Sequence, residues 1–467
     1  MAPPKRLIII GAGPGGYVAA IRAAQLGAQV TIVEEQVVGG VCLNWGCIPS
    51  KTLLNLVDLG ERARHAESWG LTFEGPIGFD LKRMISRKNE VVQSLVKGIT
   101  TLFKQWKIQH VGGRGELLSD RQVRVTNADG DTSLLEAEAI VLATGSSWPQ
   151  LPQFPIDGQK VISSKEALDL TDIPRSMIIV GGGVEGCEFA CLFGGLGSHV
   201  TLVEMMPTVL PMEDDDTVAI LIREFKKRKV QLCMNTTIQD WQSTADGIQG
   251  TLSSGQSVVA DKMLISVGRR MNSRGLGLET VGVKIGSREE ILVDEQMETS
   301  VPGVYAIGDV TGKSMLAHVA SAQGKVAASN VMGITQSINY EVIPAGIFTL
   351  PEIGRVGLTE QQARERGMPI TVGRFRYGGL GKAQAVGETT GQFKIIADEQ
   401  SKKILGVHII GAHAADLIHE GALAMQRGLT VTNVADMIHA HPTLSEGLME
   451  AAEDMDGLAI HQARKRT

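Results

Sequence analysis

Two cysteines five residues apart stand in the segment Gly39-Gly40-Val41-Cys42-Leu43-Asn44-Trp45-Gly46-Cys47-Ile48-Pro49-Ser50-Lys51, and no other residues of the chain are so well placed for covalent chemistry. Pro49 suits the first turn of a helix that runs on through Leu53, Leu54 and Leu56. Cys47 then sits at the positive end of that helix, where a thiolate is stabilised and the thiol pKa falls. On one straight helix the five-residue rise would be about 7.5 Å, beyond the roughly 7 Å that a disulfide spans between Cα atoms. The backbone must therefore bend, and Gly46 permits it. The competing reading is a pair of buried, reduced thiols acting as small apolar groups. Zinc is disfavoured, because the spacing is not C-x-x-C and no second pair follows, so no metal is expected. The helix start behind Cys47, with Lys51 one turn on, favours a redox dithiol. Cys187, Cys191 and Cys233 lack such surroundings and read as packing residues.

The elements that must position this dithiol come in two copies. Leu7 to Glu35 and Met177 to Met205 follow one plan at an offset of 170 residues: strand, glycine turn, helix, strand. Each carries G-x-G-x-x-G, as Gly11, Gly13, Gly16 and as Gly181, Gly183, Gly186. Each second strand ends in an acid, Glu34 or Glu204, 23 residues after the first glycine. The first glycine permits a tight turn, the second lets backbone N–H groups approach a pyrophosphate, the third lets helix pack on strand, and the acid accepts from a ribose. One such turn is weak evidence, but two matched units predict two dinucleotides. Met205 and Met206 follow Glu204, with no arginine placed for a 2′-phosphate, so the second site should prefer NAD over NADP.

Composition limits the alternatives. A chain of 467 residues has room for about three domains. Lys+Arg 45 against Asp+Glu 51 gives −6 with the basic residues scattered, so nucleic acid is not an expected partner. The run Lys226 to Lys229 closes a helix-like stretch opened by Glu213 to Asp216 and reads as a solvated helix end that complements the dipole. The basic start Met1 to Arg6 is followed only by Leu7 to Ile10, too short an apolar run for a signal peptide. No stretch reaches the ~18 apolar residues of a membrane span. Five scattered cysteines make no secreted disulfide framework, so a cytoplasmic location is expected.

The segment from Gly39 to Lys51 resembles the active-site segment of dihydrolipoamide dehydrogenases, within the flavin disulfide reductases. The similarity runs along essentially the whole chain, through Ala143-Thr144-Gly145, the second glycine turn, Gly308-Asp309 and the stretch His439 to Glu446. It implies an α/β fold with two Rossmann-like dinucleotide-binding domains and a C-terminal α+β dimerisation domain. The divisions expected are 1–145 for FAD and the dithiol, 146–275 for NAD, 276–345 for a return to the first domain, and 346–467 for the interface. By similarity Cys47 faces the flavin, Cys42 meets substrate, and Lys51 lies near flavin N5 paired with Glu188. FAD would be contacted by the first glycine turn, Glu34, Gly40, Lys51, Gly115, Thr144, Gly145, Asp309 and Ala317. NAD would be contacted by the second turn, Glu204, Ile238 and Gly268. His441 is the implied base, oriented by Glu446, and reaches the dithiol of the other subunit of a homodimer. A plainer reading of Thr443-x-x-Glu446 is a helix capping box, and both can hold together. The implied reaction is oxidation of a dihydrolipoyl group on a lipoyl-carrying protein of a 2-oxo acid dehydrogenase or glycine cleavage complex, with NAD+ reduced.

Other members of the class fit less well. A mercuric-type or large thioredoxin reductase needs a C-terminal cysteine pair, whereas the last cysteine here is Cys233. Glutathione reductase would need an arginine-bearing NADPH site. A non-catalytic nucleotide-binding scaffold is at odds with the intact set Cys42, Cys47, Lys51, His441 and Glu446. Four places depart from the family pattern: Glu185 where isoleucine is usual, Met271 for proline, Gln323 for an acid, and Gly378 to Lys382. Glu185 bears most directly on coenzyme use, because the nicotinamide is expected beside it.

Overall fold

The computed structural model of the chain describes residues 4–463, so Met1–Pro3 of the basic start lie outside the described residues. The strand Arg6–Ile10 is central in a five-stranded parallel sheet ordered Val304–Ala306, Ala139–Leu142, Arg6–Ile10, Gln29–Glu34, Gln109–Gly112. Its Leu7 to Ile10 are all buried, as a continuous apolar run covered on both faces should be. The second repeat builds the same order over four strands: Ser176–Val180 is flanked by His199–Val203 and then Gln231–Cys233 on one side and by Lys262–Ile265 on the other, with a fifth strand, Val161–Ile162, that precedes the repeat where Val304–Ala306 follows the first.

The duplication extends further than the sequence pattern reveals. Each sheet is accompanied by a three-stranded antiparallel unit, Arg114–Leu117 with Gln122–Thr126 and Thr132–Glu136 in the first, and Ile238–Thr244 with Gly247–Leu252 and Ser257–Ala260 in the second. The strand Val304–Ala306 closes the first sheet late in the chain, and the helix Ala317–Val331 then packs on Pro14–Gln25.

The C-terminal part is an antiparallel five-stranded sheet ordered Ala345–Ile347, Ile353–Gly357, Ile404–Ile410, Gln392–Asp398, Ile370–Arg376, with the helix Ala414–Gln426 on one face. The helix Glu446–Glu453 packs on the strands Ile370–Arg376 and Gln392–Asp398 of this sheet.

Charged residues that look solvated in sequence tie these parts together. Asp214 caps the helix Asp215–Lys227 and is buried, pairing with the buried Lys394 of the third sheet at 2.7 Å. Lys394 also meets Asp216 at 2.7 Å and Glu360 at 2.8 Å, and Arg374 bonds Asp216 at 2.8 Å. The acidic helix start is thus a cross-domain ion cluster as well as a dipole complement. At the other end, Arg228 is not solvated: it donates to the Leu350 carbonyl at 2.7 Å and pairs with Glu61 at 2.9 Å.

Removing Lys394 leaves Asp214 buried without its cation, and such a loss costs about 3–5 kcal/mol. Lys394→Ala should therefore shift the urea midpoint strongly downward, whereas an unchanged midpoint would mean that the cluster is not holding the domains. The cluster also sets an acid limit. Burial opposes ionisation of Glu360, but Lys394 and Arg364 outweigh it and depress its carboxyl from 4.5 to about 2. Because the folded pKa is the lower one, this stabilisation is complete above pH 4.5 and is lost as pH falls toward 2. Acid titration of wild type and Glu360→Gln should converge over that interval.

Candidate active site

Gly46, with φ −139° and ψ −112°, breaks the chain between the short helix Gly40–Trp45 and the helix Cys47–His65. That break brings the Cα atoms of Cys42 and Cys47 to 4.8 Å, and the two sulfurs form a disulfide. Asn44 holds the short helix by donating to the carbonyls of Val38 and Gly40, at 3.1 and 2.9 Å. Both cysteines are half-buried in the wall of a cavity of about 830 Å³, and Cys47 heads the long helix whose N–H groups converge there. Cys187, Cys191 and Cys233 are free and buried, and burial pushes the Cys191 thiol up to about 12.

One turn beyond Cys47, the Lys51 ammonium bonds both oxygens of Glu188, at 2.8 and 2.7 Å. Glu188 lies in the helix Val184–Leu196 of the second repeat and is itself buried, accepting from the Phe348 backbone N–H at 2.9 Å. Lys51 also stands 4.7 Å from the centroid of the Phe348 ring. The dithiol helix, the second nucleotide fold and the C-terminal segment therefore meet at one ammonium.

The glycine turns divide their work in the same way in both repeats. A Cβ on Gly11 would come within 2.3 Å of the Ala143 carbonyl oxygen, and one on Gly181 within 2.1 Å of that of Ser266. On Gly16 or Gly186 it would lie 1.9 Å from the carbonyl oxygen of the first glycine. These four positions admit nothing larger. The middle glycines are different: Gly13 meets only the Gly40 Cα at 3.9 Å, and Gly183 meets nothing within 4 Å. Steric demand thus fixes the outer glycines, while the middle one leaves its backbone open to a phosphate group. Glu34 accepts from the N–H groups of Ala12 and Gln36 at 2.7 and 2.8 Å, and Glu204 accepts from those of Gly182 and Met206 at 2.6 and 2.7 Å. Each acid pins its own turn through one lone pair per oxygen, leaving others free for a ribose hydroxyl.

Gly11, Gly13, Glu34, Gly40, Gly115 and Thr144 line the cavity, and so do Gly145, Lys51, Glu188, Asp309 and Ala317. Gly16 packs behind the wall. Gly181, Gly183, Gly186, Glu204, Ile238 and Gly268 stand outside it on the second fold, which reaches the cavity through Val184, Glu185 and Glu188. His441 is exposed and is not part of the cavity in its own chain. Its Nδ1 meets Glu446 Oε1 at 2.9 Å, while Glu446 Oε2 accepts the Thr443 N–H at 2.8 Å. Burial raises the Glu446 carboxyl, but the Thr443 N–H and His441 outweigh it and hold the group below its usual range.

Five cavity residues, Ser146, Trp148, Ser164, Arg269 and Asn272, have no conspicuous signal in the sequence. Asn272 and Thr144 exchange hydrogen bonds at 2.7 and 2.9 Å, clasping the Ala143-Thr144-Gly145 turn. Arg269 donates to the Ser146 hydroxyl and carbonyl at 2.8 and 2.9 Å and stacks over Trp148, whose indole donates to Ser164 at 2.7 Å. Ser146 in turn donates to Asp309 at 2.5 Å. Two of the departures from the family pattern are accounted for locally. Met271 is buried in a short bridge opposite Ser146, and Gln323, fully buried, accepts the Gly308 N–H at 2.6 Å while donating to the Tyr340 hydroxyl at 2.8 Å.

Two dinucleotide folds that share one cavity, with a disulfide in its wall, define a nucleotide-dependent dithiol oxidoreductase. The chain belongs to the family described as Pyridine nucleotide-disulphide oxidoreductase, which matches residues 5–324, and residues 343–452 match the dimerisation domain of the same family. Dihydrolipoyl dehydrogenase of Chlamydia muridarum is 41% identical over 448 residues, 95% of each chain. Dihydrolipoyl dehydrogenase of Thermus scotoductus is 41% identical over 461 residues, covering 97% of this chain and 98% of the relative. Among solved structures, LpdA from Mycobacterium tuberculosis superposes with a TM-score of 0.91 at 31% identity, covering 97% of this chain and 99% of that one. The protein is accordingly an FAD- and NAD-dependent enzyme that forms a homodimer, and the open middle glycines fit both dinucleotides.

The two kinds of glycine should separate by experiment. Gly13→Ala has room to fold but places a methyl where the dinucleotide approaches, so the purified protein should keep its unfolding midpoint while retaining several-fold less flavin. Gly16→Ala should lose both. Full flavin retention by Gly13→Ala, read from visible absorbance per chain, would contradict this division.

Proposed function

We propose that this protein oxidises a dihydrolipoyl group, carried on a lipoyl protein of a 2-oxo acid dehydrogenase or glycine cleavage complex, and delivers the electrons to NAD+. The observation that carries this reading is the Cys42–Cys47 disulfide in the wall of the cavity that both nucleotide folds reach, and the names of the relatives support it. FAD held by the first fold would supply two-electron acceptance from the dithiol and hydride donation to NAD+. His441, oriented by Glu446, takes a proton from one substrate thiol and serves the dithiol of the other protomer. The resulting thiolate attacks Cys42 Sγ, which breaks the bond to Cys47 and leaves Cys47 as a thiolate. The second substrate thiol then attacks the mixed disulfide, releasing a cyclic disulfide and the Cys42 thiol. Cys47 is stabilised as a thiolate by its helix N-terminus.

Lys51, fixed by Glu188 in the cavity wall, would offer a cation to a flavin held there. The first glycine turn, Glu34, Gly40, Gly115, Thr144, Gly145, Asp309 and Ala317 hold FAD. The second turn, Glu204, Ile238 and Gly268 hold NAD, and exposed Met205 and Met206 beside Glu204 offer nothing to a 2′-phosphate. A cytoplasmic setting suits a reducible dithiol and three free thiols.

Anaerobic addition of dihydrolipoamide should produce a long-wavelength absorbance from Cys47 thiolate beside oxidised flavin, absent in Cys47→Ser. Survival of that band in the variant would overturn the assignment. His441→Gln should lower kcat by about 10²- to 10⁴-fold with the band still forming slowly. An undiminished rate would remove His441 from the mechanism.

A further inference from the structure

The helix Val184–Leu196 opens on the second glycine turn and its first residues line the cavity, so a coenzyme held by that turn would pass them on its way to the disulfide. Glu185 is the second residue of that helix and lines the same cavity as Cys47 and Lys51. Its neighbours have other obligations. Lys51 is held by Glu188, and Arg269 is held by Ser146 while stacked on Trp148. Ser164 accepts from Trp148, and Ser164 and Glu185 line the same cavity wall. The Lys51–Glu188 pair cancels locally, and Arg269 offsets Glu185 only in part. One acidic group thus faces the passage on the nicotinamide side.

We infer that Glu185 is a specificity-determining residue that makes the coenzyme site discriminate by ring charge, favouring the cationic nicotinamide of NAD+ over the neutral dihydronicotinamide of NADH. The two coenzymes share the adenosine, pyrophosphate and ribose contacts, so the turn and Glu204 bind both equally. A carboxylate beside the ring contributes only when the ring is charged. Its consequence for turnover is directional: NAD+ is retained, and NADH leaves more readily once hydride has been transferred. Burial raises the Glu185 carboxyl above its usual range, with Ser164 and Arg269 pulling it down, and a cationic ring acts in the same sense as those two.

This inference rests on the second fold being the NAD site, so the test separates the two ideas. Binding to the oxidised holoenzyme is measured at pH 8 for NAD+, for the redox-inert tetrahydro analogue of NADH, and for ADP-ribose, which has no ring. The proteins are wild type, Glu185→Gln and Glu185→Ile. Both variants should bind NAD+ roughly three- to tenfold more weakly than wild type, with the affinities for the tetrahydro analogue and ADP-ribose unchanged. An unchanged or tighter NAD+ affinity overturns the proposal. Equal weakening of all three ligands also overturns it, because the effect would then lie in the turn and not in ring charge. Failure of ADP-ribose to bind wild type would overturn the assignment of the second fold itself.

Discussion

The ammonium of Lys51, gripped by both oxygens of Glu188, joins the parts that the chemistry requires in one place. Lys51 belongs to the helix that carries Cys47, Glu188 to the second nucleotide fold, and the Phe348 N–H on Glu188 to the segment entering the third sheet. With a charge this enclosed, desolvation offsets much of the mutual attraction, so the contribution to net stability is small. Its effect is geometric. A buried carboxylate that must satisfy one ammonium and one N–H allows the three elements a single relative placement, and the dithiol's distance from either nucleotide fold follows from it. Apolar packing does the rest: Leu53, Leu54 and Val57 of the dithiol helix share a buried cluster with Phe189, Cys191 and Phe193 of the second fold.

The two repeats are alike in backbone and unlike in surroundings. Glu34 and Glu204 pin their turns by the same pair of N–H bonds, but the first turn opens into the common cavity beside the disulfide, while the second reaches it only through the start of its helix. One duplicated unit thereby presents two differently placed glycine turns to the same cavity. The asymmetry comes from what each fold packs against. The first receives the late strand Val304–Ala306 and the helix Ala317–Val331, and the second is clamped to the third sheet by Asp214 and Lys394.

His441 Nδ1 and Glu446 Oε1 meet at 2.9 Å on an exposed surface outside the cavity that holds their own disulfide. In the proposed reaction, His441 would act as a base on the dithiol that the second copy of a homodimer brings.

Much of this is written locally in the sequence. The glycine spacings, the acids 23 residues on, and the bend forced by Gly46 are properties of contiguous segments, because turn sterics and helix starts act over a few residues. The two dinucleotide folds and the dithiol could be read from them. Other features could not. The clasp of Asn272 on Thr144, the chain from Arg269 through Ser146 to Asp309, and the burial of Lys394 on Asp214 join residues 123 to 180 positions apart. Each residue by itself resembles an ordinary polar surface residue. A charge or amide shows its role only once folding has removed water from it and left one partner within reach, and that selection is made by the tertiary structure.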